Sequence, residues 1–431
     1  CRDGEGEVFH SMSGLQERFD AAQEVAEARP AEAVSEYRGI LAAEGNDAET
    51  VRVKEAAVQS LAKLLAKQGD AGAVRALLTD LRPLLAVFPK AKTAKVVRSV
   101  IDIISTIPGT TSLQIDLCKE QVAWARQEKR TFLRHRVEVR LASLYLETKE
   151  FQSALALIGS LLTEVKKLDD KLLLVDIHLL ESRTHHALRN LPKAKAALTA
   201  GRTAANAIYV PPSVQSMIDM QSGILHAEEK DFKTSYSYFF EAFEQLNNLD
   251  DATNAVRALK YMLLCKVMVN QADDVASVIA TKAGLKYQGT DLDAMSAVAK
   301  ANIDRSLKAL EEALKSYAPQ LTADPIITAH LLELKSTLME QNLCRIIEPY
   351  SKVEIAHVAS QIDLPLAMVE RKLSQMILDK KFEGILDQGN GCLIVFDAAP
   401  KQVLYPAALA TIANLDKVVT NLMGKSASIM A

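Results

Sequence analysis

Three residues near the middle of the chain have the types and spacing to hold a metal: His178, Glu181 and His185, at i, i+3 and i+7 of a predicted helix. One helix face aims two imidazoles and a carboxylate the same way, yet a zinc site still needs a fourth group from elsewhere. No His-Glu-X-X-His sequence accompanies them and no cysteine is near, so the plainer reading, histidines on an ordinary helix, is preferred. Gly389-Asn390-Gly391 is glycine-rich, but no helix begins after it to hold a phosphate. Neither Gly-X-Ser-X-Gly nor a Walker sequence occurs, and nothing favours a Ser, His and Asp meeting in space. The expectation is no catalytic residue, no cofactor and no metal.

A second kind of chemistry is charge. Lys119 to Arg140 carries seven Lys/Arg against three acids, and Lys90, Lys92, Lys95 and Arg98 form a further cluster. Such runs are usually solvated helix faces. The functional alternative is a dock for an acidic protein partner, with Lys129, Arg130 and Arg134 as the binding residues. Over the whole chain 51 basic residues meet 54 acidic ones, for a net charge of −3. That balance speaks against a dedicated nucleic-acid binder. The five cysteines (Cys1, Cys118, Cys265, Cys344, Cys392) are far apart and odd in number. They suit reduced thiols inside a cell better than a disulfide framework. No run reaches the roughly 18 uncharged apolar residues of a membrane span, the first residues lack a signal peptide's apolar core, and no Asn-X-Ser/Thr acceptor occurs.

The elements that carry these residues are helical. Of 431 residues 49% are hydrophobic, while Gly (17) and Pro (13) are scarce and aromatics reach only 5%. Ala, Leu, Lys and Glu fill their place, which predicts an all-α protein of two or three domains. A repeat is visible. The turn Lys149-Glu150-Phe151 recurs as Arg189-Asn190-Leu191, as Lys230-Asp231-Phe232 and as Asn270-Gln271-Ala272. The anchors Phe151, Leu191, Phe232 and Ala272 are 40, 41 and 40 residues apart. Counting back lands on Pro108-Gly109-Thr110-Thr111, on Gly69-Asp70-Ala71 and on Pro30. Small residues follow each turn, as at Ala154, which lets paired helices approach closely. This is the pattern of tetratricopeptide-like helix pairs, which stack to bury their apolar faces. A right-handed α-solenoid is expected over residues 1–320.

Near Pro319 and Pro325 the register fails. A helix from about Pro325 to Ile347 carries Ile326, Leu331, Leu334, Leu338 and Leu343 on one side. Ser351 and Glu354 have capping-box spacing and predict a short helix with Ile355, Val358 and Ala359 inward. Pro365 suits the first turn of the next helix, whose apolar face is Val369, Leu373, Met376 and Ile377. Two strand-like runs, Phe382 to Leu386 and Cys392 to Phe396, flank an Asn-Gly turn and predict a hairpin. Three helices and a hairpin make a winged helix, assigned to 321–398. Its charges Glu370, Arg371, Lys372 and Asp379 cancel, so a duplex-binding role is the weaker reading.

A last helix, within 399–431, runs from about Tyr405 to Met423. Tyr405, Ala408, Ile412, Leu415, Val419 and Leu422 repeat with spacing 3, 4, 3, 4, 3, a coiled-coil seam. Either this helix seeks partners or it folds back on its own winged helix. The strand Cys392–Phe396 is wholly apolar, with Leu393 and Val395 as its central residues. It either offers an edge to a neighbour's strand or is buried on its own helices.

These residues together resemble the PCI-domain subunits found in the proteasome lid, the signalosome and a translation initiation factor. The resemblance is strongest to the family of the proteasome regulatory particle's non-ATPase subunit 11. It rests on Leu141-Ala142-Ser143-Leu144-Tyr145-Leu146-Glu147, on Ala258 to Lys266, on Tyr350-Ser351-Lys352-Val353-Glu354-Ile355 and on Lys380 to Gln388. It covers nearly the whole chain, although the signalosome paralogue shares much of the winged helix. The resemblance implies a non-catalytic scaffold in the cytoplasm and nucleus, whose terminal helix joins a bundle with other lid subunits. It further implies a solenoid reaching the core particle's α subunits and the ATPase ring. Alternatives are a signalosome subunit and a winged-helix nucleic-acid binder.

Overall fold

The computed structural model describes residues 16, 18–26, 29–42, 48–82, 89–105, 107, 109–362, 365–396 and 404–430. Cys1, Pro108 and Pro400 lie outside them, as do Asp363 and Leu364. The chain packs as two compact units, 1–262 and 263–431.

The first unit is built from helix pairs: α1 (Pro30–Ala42), α2 (Ala48–Lys67), α3 (Ala71–Asp80), α4 (Lys90–Ser105), α5 (Thr111–Gln127), α6 (Thr131–Glu147), α7 (Phe151–Leu168), α8 (Lys171–Ala187), α9 (Leu191–Asn206), α10 (Pro212–Glu228) and α11 (Phe232–Asn248). The next helix, α12 (Ala252–Met268), runs across the division between the units. What cuts much of this helical sequence into similar lengths is a left-handed residue after most of the helices. Gly109, Lys129, Lys149, Asp169 and Arg189 all have φ between 52° and 78°, at intervals of 20 residues. Lys230, Asp250 and Asn270 continue the series after a gap of 41. At Lys149 the closure is a Schellman motif: the Lys149 N–H donates to the Leu146 carbonyl at 3.2 Å and the Glu150 N–H to Tyr145 at 2.9 Å. Arg189 and Asn190 repeat it onto His186 and His185. The forty-residue repeat is therefore two equal halves, and the sequence reading caught only alternate turns.

Side chains start the helices that follow. Asp70, Asp170, Asn190 and Asp231 each accept from an amide in the first turn of the helix they precede. Small residues sit where the second helix of a pair meets the first: Ala154, Ala194 and Ser235 are all fully buried. The Ser235 hydroxyl donates to the Gly223 carbonyl at 2.7 Å, and a Cβ on Gly223 would stand 2.6 Å from the Phe239 ring. Non-glycine left-handed residues carry steric strain. Lys149→Gly, at an exposed site with φ 64°, is accordingly expected to raise stability by up to about 1 kcal/mol in urea unfolding. A loss of stability would show that no strain is stored there.

After Asn270 the twenty-residue spacing ends, earlier than the sequence suggested. The second unit continues with α13 (Asp273–Ile279), α14 (Lys282–Lys286), α15 (Thr290–Ile303), α16 (Leu307–Ser316), α17 (Ala318–Thr322) and α18 (Pro325–Ile347). The winged helix follows as β1 (Lys352–Glu354), α19 (Ile355–Ile362), α20 (Leu366–Leu378), β2 (Gly384–Asp387) and β3 (Cys392–Val395), and the chain ends in α21 (Leu404–Met430). Its core joins Leu343 and Ile347 of α18 to Val353, Ile355, Val358, Val369, Leu373, Met376 and Leu393. The expected hairpin is present. The Asp387 carboxylate accepts from the Gly389 and Asn390 amides, and Gly391, with φ 63°, closes the turn.

Two expectations are corrected here. Ser351 and Glu354 do not form a capping box, because Lys352–Glu354 is a third strand that pairs antiparallel with β3, Val353 opposite Leu393. Its exposed–buried–exposed alternation places Val353 in the core, and that burial overrides the local capping signature. Consequently β3 is the middle strand of the order β1-β3-β2, and its backbone is taken up on both sides by this chain's own strands. It offers no open edge. Leu393 is fully buried and Val395 partly so, which removes the strand-addition surface expected there.

Candidate functional site

The terminal helix α21 is the most unusual surface of the molecule. Ala407, Ala408, Ala410 and Ala413 favour helix, and Pro406 sits in the first turn, where no amide donor is needed. At 27 residues the helix is about 40 Å long. None of its described residues is buried. The seam read from the sequence is laid open along it: Tyr405 is 68% exposed, Ile412 62%, Leu415 58%, Val419 51% and Leu422 61%. Folding back on the winged helix is therefore not what this helix does. Leu409, Val418, Met423 and Ile429 are exposed beside the seam, and at 100° per residue the apolar arc covers half the circumference. The sequence reading missed this width because it followed one heptad seam. Extending the count to both flanks would have found it. An apolar face this broad is wider than a two-stranded seam and fits a helix packed among several others. No helix among the described residues is long and apolar enough to cross a membrane, α21 included.

On the winged helix, by contrast, one cation is withdrawn from solvent. Lys372 on α20 is buried and paired with Glu340 of α18 at 2.6 Å, while Lys381 holds the other carboxylate oxygen at 2.7 Å. Lys372 also donates to the Ser336 hydroxyl at 2.8 Å. Arg371 is the one exposed cation of α20, and the large side chains that the helix shows to solvent beside it are apolar: Leu366, Met368 and Leu378. A duplex-reading helix needs lysine and arginine on that side.

The basic stretch is also largely spent within the fold. Arg134, one of the three expected binding residues, is mostly buried and pairs with Glu164, which also meets His135 at 3.1 Å. Arg126 pairs with Glu138 at 3.4 Å, and Lys95 of the second cluster with Glu55 at 2.9 Å. Arg130 stacks over Trp124, its guanidinium 5.2 Å from the ring centroid, and Lys129 is the exposed left-handed residue of the turn. The three residues lie close in sequence but have different surroundings.

His178 and Glu181 are brought together, Nδ1 to carboxylate oxygen at 2.9 Å, and that hydrogen bond holds the Glu181 carboxyl below its usual range. His185 does not join them, and no group of three or more metal-competent side chains occurs among the described residues. Cys118 is fully buried and desolvation pushes its thiol up to about 11, the opposite of a reactive cysteine.

Stacked helix pairs, a three-stranded winged helix and an exposed apolar terminal helix define the class of PCI-domain subunits. Comparison with known proteins agrees. Residues 314–397 match the PCI domain, and residues 15–148 match the N-terminal domain of the 26S proteasome regulatory subunit RPN6. The chain is 61% identical over 405 residues to the 26S proteasome non-ATPase regulatory subunit 11 homolog of Arabidopsis thaliana, covering 94% of this chain and 96% of that one. It is 50% identical over 395 residues to subunit 11 of Dictyostelium discoideum (91% and 95% covered). It is 44% identical over 377 residues to the regulatory subunit RPN6 of Saccharomyces cerevisiae (86% and 87% covered). The chain belongs to the 26S proteasome non-ATPase regulatory subunit 11 (RPN6) family.

Proposed function

We propose that this chain is a non-catalytic scaffold subunit of the 26S proteasome lid, acting in ubiquitin-dependent protein degradation. The observation that carries the reading is α21, an amphipathic helix whose described side chains are all exposed, which is marginal in water until neighbours cover it. Its occupants in this reading are the terminal helices of other PCI subunits of the lid. The helix pairs of the first unit contact the ATPase ring and the α subunits of the core particle, tethering the regulatory particle to it. Several modest interfaces acting at once give strong retention through high effective concentration. The working locations are the cytoplasm and the nucleus.

The test is a pull-down from native extract with the tagged full chain and with a truncation ending at Pro400. The full chain is expected to recover proteasome particles and the truncation to lose them. Recovery of signalosome subunits instead would move the chain to that assembly, and recovery of neither would end the scaffold reading.

A further inference from the structure

Two adjoining cavities in the second unit share Leu307, Lys308 and Ile362 in their walls. The first, of about 460 Å³, is cationic: Arg305, Lys308 and Arg345 face it together with Asn342 and Gln361, and no carboxylate among the described residues lines it. The second, of about 370 Å³, is walled by Leu332, Met339 and Met368. Its one acid, Glu311, is held by Lys335 at 2.6 Å, an interaction that keeps the carboxyl below its usual range. Both volumes lie in the range of ligand pockets, about 300–1,000 Å³.

The walls are built rather than incidental. Arg305 is the left-handed residue (φ 49°) between α15 and α16, and its carbonyl accepts from the Asn342 amide of α18 at 3.0 Å, which pins the turn beside Arg345. Ser306 caps α16 by accepting from the Ala309 amide, so the positive end of that helix opens into the cationic half. Among the described residues neither guanidinium makes an ion pair. In the apolar half Leu332 is 64% exposed and Met368 50%, large side chains standing in water beside a recess. None of these residues lies on α21 or in the sheet.

We propose that this double cleft binds an acidic–hydrophobic peptide segment of a partner protein. Its carboxylates meet Arg305 and Arg345, and its aliphatic side chains enter the recess beside Leu332 and Met368. Charge complementarity selects the first half of the ligand and apolar burial the second, so neither a purely acidic nor a purely apolar peptide satisfies both.

The experiment is fluorescence anisotropy on the full chain with a fluorescein-labelled octapeptide, two repeats of Glu-Glu-Leu-Leu. Binding is expected to weaken with added salt and to fall at least tenfold in Arg305→Glu/Arg345→Glu. It should fall at least threefold in Leu332→Ser/Met368→Ser, and be lost with a peptide carrying Gln for Glu. Arg305→Gln/Arg345→Gln repeats the charge test should the reversed pair alter the circular dichroism spectrum. No saturable binding to the wild-type chain would overturn the proposal. So would an affinity within twofold of wild type in the charge variants, or equal binding of a peptide with Ser for Leu.

Discussion

Glu340→Ala is expected to destabilise the second unit by about 2–4 kcal/mol, near the cost of breaking a buried ion pair from one side. One carboxylate oxygen holds Lys372 at 2.6 Å and the other holds Lys381 at 2.7 Å. Lys372 keeps only 11% of its side chain in solvent. Without Glu340 it retains the Ser336 hydroxyl but no counter-charge. The pair also carries a pH signature. Burial pushes the Glu340 carboxyl up, but hydrogen bonds from Lys372 and Lys381 more than offset this and hold it below its usual value. A carboxyl depressed in the fold contributes stability that is complete above its unfolded pKa, about 4.3, and lost as pH falls through the folded value. The stability gap between wild type and Glu340→Gln should therefore be constant above about pH 5 and close towards acid. Urea unfolding followed by circular dichroism measures both. A loss under about 0.5 kcal/mol, typical of an exposed pair, would mean the bridge is solvated in solution.

Ile412→Asp with Val419→Asp is expected to weaken co-assembly with lid subunits by at least about 100-fold, since two apolar anchors become charges that a helix bundle must desolvate. Both side chains are more than half exposed in this chain, so its own melting temperature should not move. Asn414→Asp with Asn421→Asp, on the opposite arc, is the matched control and should bind within twofold of wild type. Reconstitution with purified lid subunits reads all three proteins. Equal losses from the two pairs would assign the effect to charge on the helix rather than to its apolar face.

Most of the architecture was legible because it repeats. A turn at Phe151 that returns at Leu191 and Phe232 cannot be read from any single propensity, yet the period makes it plain. What escaped was whatever depended on residues far apart in sequence. The strand Lys352–Glu354 looks like a helix cap until Leu393 is placed opposite Val353, and that partner is forty residues away. The same omission left open whether β3 was an edge. The Arg134–Glu164 pairing, which crosses from α6 to α7, turned an expected docking residue into an internal one. The seam on α21 was readable for the opposite reason: nothing among the described residues covers it, so the local pattern is undisturbed.

The evenly spaced left-handed turns bear on how the first unit comes to be folded at all. Every helix from α5 to α11 finds its main contacts on helices one or two places away in the chain. Loop closure is therefore short everywhere, and condensation can begin at any pair and spread to the next. On the ribosome such a chain need not wait for its far end. Each new hairpin can dock on the one before it as it emerges, while α21, made after the helix pairs and the winged helix, leaves the tunnel later than they do. The order of synthesis thus delays the broad apolar face of α21 until the elements that precede it have been made.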